Sequence, residues 1–325
     1  MAWLFFFLSL LTKQTPAPVQ AADEKADQVQ SAAFAIGALR RDGIVSPFAV
    51  FDGKHWSVPW PADLPTRERS LSPGRIPYEW WGKTGPLTEM AAWIDGVNGG
   101  IVHLTRPVPL RVMCEWRIGL VSDYHSGEPA VPPYVQPYPK DGLAVSGTQR
   151  VDAIETLTAT SPERGQTAGF IKEEFDRAEQ VAASRYTQWK NPIPPSVRRS
   201  TPVEIEAMYR APMDREGWVA YYVEGIKSYQ PGPGDDNCGL VASGSGWMIV
   251  GPDGKRSVKL HGDLTYCDRR GVTFMLPLGL IKTAGKSFWA FQMSGYGREG
   301  YMVVRPVTNG AEIMTRYSAA FCPTE

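Results

Sequence analysis

Twice near its start the chain sets the pair Asp-Gly between two apolar runs. Asp42-Gly43 separates Phe34–Ala38 from Ile44–Phe51, and Asp52-Gly53 separates that run from Lys54–Trp60. In this setting Asp-Gly is among the strongest short-range hairpin signals, because the favoured tight turn requires positive φ at both central residues. Two in succession predict a three-stranded meander. Asp95-Gly96 and Asn98-Gly99-Gly100 then precede an extended run from Ile101 to Leu104, and Leu110 to Val121 alternates through Val112, Cys114, Trp116 and Ile118. Period two of this kind marks a strand with one buried face. Residues 31–125 therefore read as an N-terminal β-rich domain.

The 32 Gly and 28 Pro among 325 residues keep the rest of the chain turn-dense as well. Residues 126–150 collect five prolines and two tyrosines, a composition that favours extended backbone poor in hydrogen bonds, and they read as a linker. Residues 151–216 form a helical segment. Ile171, Phe175, Ala178 and Ala182 fall on one helical stripe, and Thr201-Pro202-Val203-Glu204 reads as a capping box that opens a short helix through Tyr209. From 217 to 325 short alternating runs return, separated by Gly, Asn or Pro: Trp218–Lys227, Cys238–Val250, Lys255–Cys267, Val272–Leu276, Ser287–Met293, Tyr301–Val307 and Glu312–Tyr317. The expectation is a mainly β protein, with two antiparallel β-rich domains of the sandwich or open-barrel kind joined by a Pro-rich linker and a short helical segment.

Residues 1–21 predict the address. Met1–Leu11 is an apolar run too short to cross a bilayer, and it leads through a polar stretch to Val19-Gln20-Ala21, which suits cleavage after Ala21. We read 1–21 as a signal peptide, 22–30 as a flexible leader, and the protein as exported to the periplasm or exterior, without membrane insertion after cleavage. The cysteines fit that compartment. If Val250 faces Lys255 across Gly251–Gly254, the same register sets Cys238 opposite Cys267 at a wide pair, where a bulge is needed before a bridge fits. In a cytosolic chain all four cysteines would instead be buried thiols.

Charge balance, with 34 basic against 34 acidic residues, gives no general field for nucleic acid or anionic polymers. His55, His103, His125 and His261 are isolated, so no helical zinc motif exists, and no metal or other cofactor is expected. Gly285-Lys286-Ser287 lacks the glycine spacing of a phosphate loop and runs into an apparent strand, while Ser243 and Ser245 lack a nucleophile-elbow context. Asp235, Asp236 and Asn237 crowd one loop but lack the calcium-hand pattern, and read as a turn.

The densest polar constellation is His261, Asp263, Cys267 and Asp268. On a strand the first three share a face, and Glu299 or Arg298 could join them from the Gly295–Gly300 loop. That makes His261, Asp263, Asp268 and Glu299 the catalytic candidates. The pair Trp80-Trp81 is the candidate ligand surface, because neighbours in an extended segment point opposite ways and one must face outward. With no motif both specific and catalytic, the leading expectation is an exported β-rich binding or interaction protein for a protein or glycan ligand. A secreted, glycan-directed hydrolase using those carboxylates and a structural envelope subunit are the alternatives.

Overall fold

The computed structural model describes residues 32–61, 76–127, 140–187, 192–230 and 238–322. The expected signal peptide and leader lie outside these residues, as do 128–139 of the Pro-rich stretch and the Asp235–Asn237 loop.

Strands β1 (Phe34–Leu39), β2 (Ile44–Phe51) and β3 (Trp56–Ser57) pair antiparallel in succession, as the two Asp-Gly pairs predict. Only the glycines there are left-handed, Gly43 at φ 77° and Gly53 at 100°. Asp52 instead accepts the backbone N–H groups of Lys54 (2.9 Å) and His55 (2.7 Å). Both residues take positive φ at Asp95-Gly96 (51° and 73°), the turn between β4 (Glu89–Ile94) and β5 (Val97–Val112). β6 (Glu115–Ser122) joins β5 to β2, and β7 (Gly142–Val145) joins β4 to β1. Since β1 also pairs with β2, these strands close into a six-stranded barrel. β7 falls inside the stretch expected as a linker; its Leu143, Ala144 and Val145 are fully buried, so packing claims a strand that neighbouring prolines had masked.

The short strands β8 (Val151–Asp152) and β9 (Glu155–Thr156) become edges of two further sheets. Helix α1 (Pro162–Arg185) follows, and its predicted stripe buries Ile171, Phe175 and Ala178. α2 (Pro195–Ser200) ends just before the expected capping box. Glu204 begins not a helix but β10 (Glu204–Pro212), which pairs with β11 (Val219–Ser228) along its length. Long-range strand pairing has overridden a local cap signal.

β9, β10, β11, β12 (Leu240–Val250) and β13 (Arg256–Tyr266) form the outer sheet. β8, β14 (Thr273–Thr283), β15 (Lys286–Gly295), β16 (Arg298–Val307) and β17 (Gly310–Phe321) form the middle sheet. Both are antiparallel and five-stranded. One face of the middle sheet packs on the barrel, with Phe48 stacked on Tyr301 at 5.1 Å and Trp56 edge-on to Phe288 at 5.5 Å. The other packs on the outer sheet, where Trp247 meets Trp289 at 5.1 Å and Tyr222 meets Phe291 at 5.4 Å. The two β-rich regions thus share a core.

Helix α1 covers the far side of the outer sheet. It can approach closely because Gly225, Gly244 and Gly262 lie opposite one another on β11, β12 and β13. A Cβ on Gly244 would sit 2.6 Å from the Phe175 ring, and one on Gly262 2.8 Å from the backbone of Ala178. The Ser-Gly alternation of β12 is therefore a seat for a helix.

Both cysteine pairs are bonded: Cys238 to Cys267 and Cys114 to Cys322. The register differs by one residue from the expected one. Val250 faces Arg256, because the turn extends to Lys255, whose carbonyl accepts the Gly251 N–H at 2.9 Å. The Cys238–Cys267 bridge forms just past the end of that ladder, with Cα atoms 5.4 Å apart. Cys114, in the β5–β6 turn, is tied to the residue after β17, 208 positions later.

Candidate functional site

Between the open ends of the outer and middle sheets lies a cleft of about 590 Å³, in the range of small-molecule sites. Strand alternation decides which side chains reach it. On β11, Tyr222 and Glu224 face inward, while Val223 and Gly225 face helix α1. The register carries that inward face across the sheet: Glu224 lies opposite Ser245, and Ser245 opposite His261; Ile226 lies opposite Ser243, and Ser243 opposite Asp263. His261 and Asp263 are exposed on the rim, 3.6 Å apart.

The middle sheet supplies the opposite wall. On β16, Arg298, Met302 and Val304 face the cleft side, whereas Glu299, Tyr301 and Val303 face the barrel. On β17, Ile313 and Arg316 are three apart, a spacing that would normally put them on opposite faces. The register shift between Val303 and Val304 leaves Met314 extra, so Ile313 pairs with Val304 and Arg316 with Met302, and both reach the cleft. Met275 and Met293 complete an apolar, methionine-rich wall.

Glu224 is the centre of the site. Its side chain is 6 % exposed, and Oε1 accepts the Met275 backbone N–H at 2.8 Å, bridging the sheets. Burial pushes its carboxyl up to about 8; the Met275 bond opposes this and Glu206 adds to it. Glu224 is therefore mostly a neutral acid at pH 7, able to donate a hydrogen bond. Burial likewise raises the Tyr222 hydroxyl far above its usual range. Glu206 is matched by Arg269 at 2.7 Å. In contrast, neither Arg298 nor Arg316 makes an ion pair among the described residues; Arg298 lies 5.4 Å over the Phe321 ring.

The sequence candidates divide. His261 and Asp263 line the cleft and Arg298 faces them, as the loop reading allowed. Cys267 lies beyond the end of β13, bonded to Cys238, and Asp268 pairs with Arg270 at 3.1 Å in the following turn. Glu299 does not join them. One step from Arg298 on an alternating strand, it points into the seam between barrel and middle sheet. There its Oε1 accepts from Arg40 Nη1 at 3.0 Å and lies 2.9 Å from the Tyr301 hydroxyl, which is also 2.9 Å from Asp141 Oδ2. A hydroxyl has one proton to give, so both contacts are hydrogen bonds only if one carboxyl is protonated. Burial and then the Glu299 charge push Asp141 up to about 7.

Trp80 and Trp81 are not an exposed platform. They lie in a 3₁₀ segment, Tyr78–Thr84, where neighbours do not point to opposite faces. Both rings pack on Trp60, at 5.6 and 5.1 Å, and Trp81 is 5 % exposed. Glu224 went unnoticed because a lone Glu in an apolar strand carries no spacing signal; its position within Tyr221-Tyr222-Val223-Glu224-Gly225 was the only cue.

Among the described residues no group of three or more His, Cys, Asp or Glu could hold a metal ion, and no helix is long and apolar enough to cross a membrane. Comparisons with protein-family models, curated proteins and solved structures return no match.

Proposed function

We propose that this is an exported binding protein whose ligand seat is the cleft between the outer and middle sheets. The observation that carries the reading is Glu224: a buried carboxyl, bonded to the opposite sheet through one oxygen, at the floor of an open cavity of about 590 Å³. The chemistry offered is recognition. A neutral acid supplies a donor, rim groups supply polar contacts, and methionines adapt to an apolar surface. The two disulfides and the N-terminal pattern support export.

The hydrolase alternative needs Asp263, Asp268 and Glu299 around one substrate. Their placement on the cleft rim, in the following turn and in the barrel seam does not favour it. A cleft-filling variant, Ser245→Trp, tests the binding role. Small molecules released on denaturing the purified native protein would be identified by mass spectrometry for wild type and variant. A molecule retained by the wild type and absent from a folded variant supports the seat; equal retention, or none in either, defeats it. The mass of the mature N-terminus tests export, with Ala22 expected first.

A further inference from the structure

Resting on the reading of the cleft as a ligand seat, we infer that its occupant is an anionic amphiphile: a carboxylate head taken by Arg298 and Arg316, and an apolar tail laid on the methionine wall.

The first ground is the balance of charge around the cavity. Its acids are each answered from within the protein. Glu206 is paired with Arg269 at 2.7 Å, Asp263 lies 3.6 Å from His261, and the buried Glu224 accepts the Met275 N–H. The arginines are not answered. The partly buried arginines Arg40, Arg305 and Arg210 pair with Glu299, with Asp214, and with Glu155 and Glu163, whereas Arg298 and Arg316 are exposed at the cavity. Arg298 and Arg316, on adjacent strands and facing one cavity, make no such pair among the described residues. Both guanidinium groups line the cavity without a carboxylate, Arg316 opposite Met302 and Arg298 four residues away along β16, and a carboxylate suits either by paired hydrogen bonds. The burial that holds Glu224 neutral near pH 7 spares the head a repelling charge and leaves a donor facing it.

The second ground is independent of charge. Met275, Met293 and Met302 line the same cavity, and Ile313 stands at its lip 62 % exposed. Ile313 is there because the bulge at Met314 turns it inward together with Arg316. One backbone irregularity thus presents the apolar lip and a cationic group on the same face. A ligand with charge alone would leave this wall wet, and one with a tail alone would desolvate the arginines without a partner.

The test is isothermal titration calorimetry of the full chain at pH 7 with decanoate, decanol, decyltrimethylammonium and acetate, and vesicle co-sedimentation with phosphatidylglycerol. Decanoate is expected to bind at least about tenfold more tightly than the other three, and the double variant Arg298→Gln/Arg316→Gln to lose about tenfold or more for decanoate while leaving decanol unchanged. Equal binding of the cation, or full decanoate affinity in the double variant, overturns the inference. Vesicle binding without decanoate binding also overturns it, placing the anion in a bilayer. If no amphiphile binds but Ser245→Trp still abolishes retention of a native small molecule, the ligand class is wrong and the seat stands; if nothing is retained either, both fall.

Discussion

The middle sheet has two faces, and against each lies a carboxyl whose pKa burial raises, yet the surroundings differ. In the seam toward the barrel, Asp141 shares Tyr301 with Glu299, Arg40 answers Glu299, and the Asp141 backbone N–H is taken by Gln292 at 2.7 Å. In the cleft toward the outer sheet, Glu224 has one backbone donor, open space before it, and two arginines without carboxylates. A raised pKa alone would have marked both as functional candidates. Unfilled volume and arginines without carboxylates distinguish the cleft from the filled, fully paired seam.

The contrast can be broken most directly at the arginines. Arg40→Met leaves Glu299 buried without its cation and should cost about 3–5 kcal/mol, read as a lower urea midpoint. If Arg40→Met unfolds no more easily than wild type, the seam is not a saturated network. The two acids should then betray themselves in the pH dependence of stability. Folding raises Asp141 from 3.8 to about 7 and Glu224 from 4.5 to about 8, so each contribution is fully present below its unfolded value and is lost as pH rises through that window. Each loss is on the order of 4 kcal/mol. Urea titrations between pH 4 and 9 should show a shallower fall for Asp141→Asn and for Glu224→Gln; a variant with the wild-type slope loses its assignment.

Smaller effects sharpen the picture. Gly244→Ala puts a methyl 2.6 Å from Phe175 and should cost about 1–3 kcal/mol, while decanoate binding, on the opposite face, survives in the folded fraction. Unchanged thermal stability there would mean the helix does not depend on the glycine row. Arg298→Gln, in contrast with Arg40→Met, should move stability by less than about 0.5 kcal/mol, because an exposed group without an ion pair holds nothing together. A large loss in this variant would turn the cleft wall into another structural network.

Local signals were legible where chemistry is local. The glycines at 43, 53 and 96 marked turns by their backbone freedom, Ile171 and Phe175 marked a helix face by spacing, and the pairing of Cys238 with Cys267 survived a register error of one residue because it lies at the end of a hairpin. His261 and Asp263 share the cleft face of β13, as expected of two residues two steps apart on a strand. Glu299 was misassigned by a single step, and Trp80-Trp81 by a 3₁₀ turn standing where an extended segment was expected. β10 lay hidden under a capping pattern, since a strand stabilised by its partner needs no support from its own ends.

What the amino-acid order decided by itself was a turn-dense, antiparallel, mainly β chain with one amphipathic helix, because turn formation and hydrophobic period depend on near neighbours. Barrel closure, the choice of which face each carboxyl occupies, and the placing of Glu224, Arg298 and Arg316 around one cleft were settled only when distant strands packed. Burial, desolvation and charge compensation are properties of that packing, and no spacing along the chain encodes them.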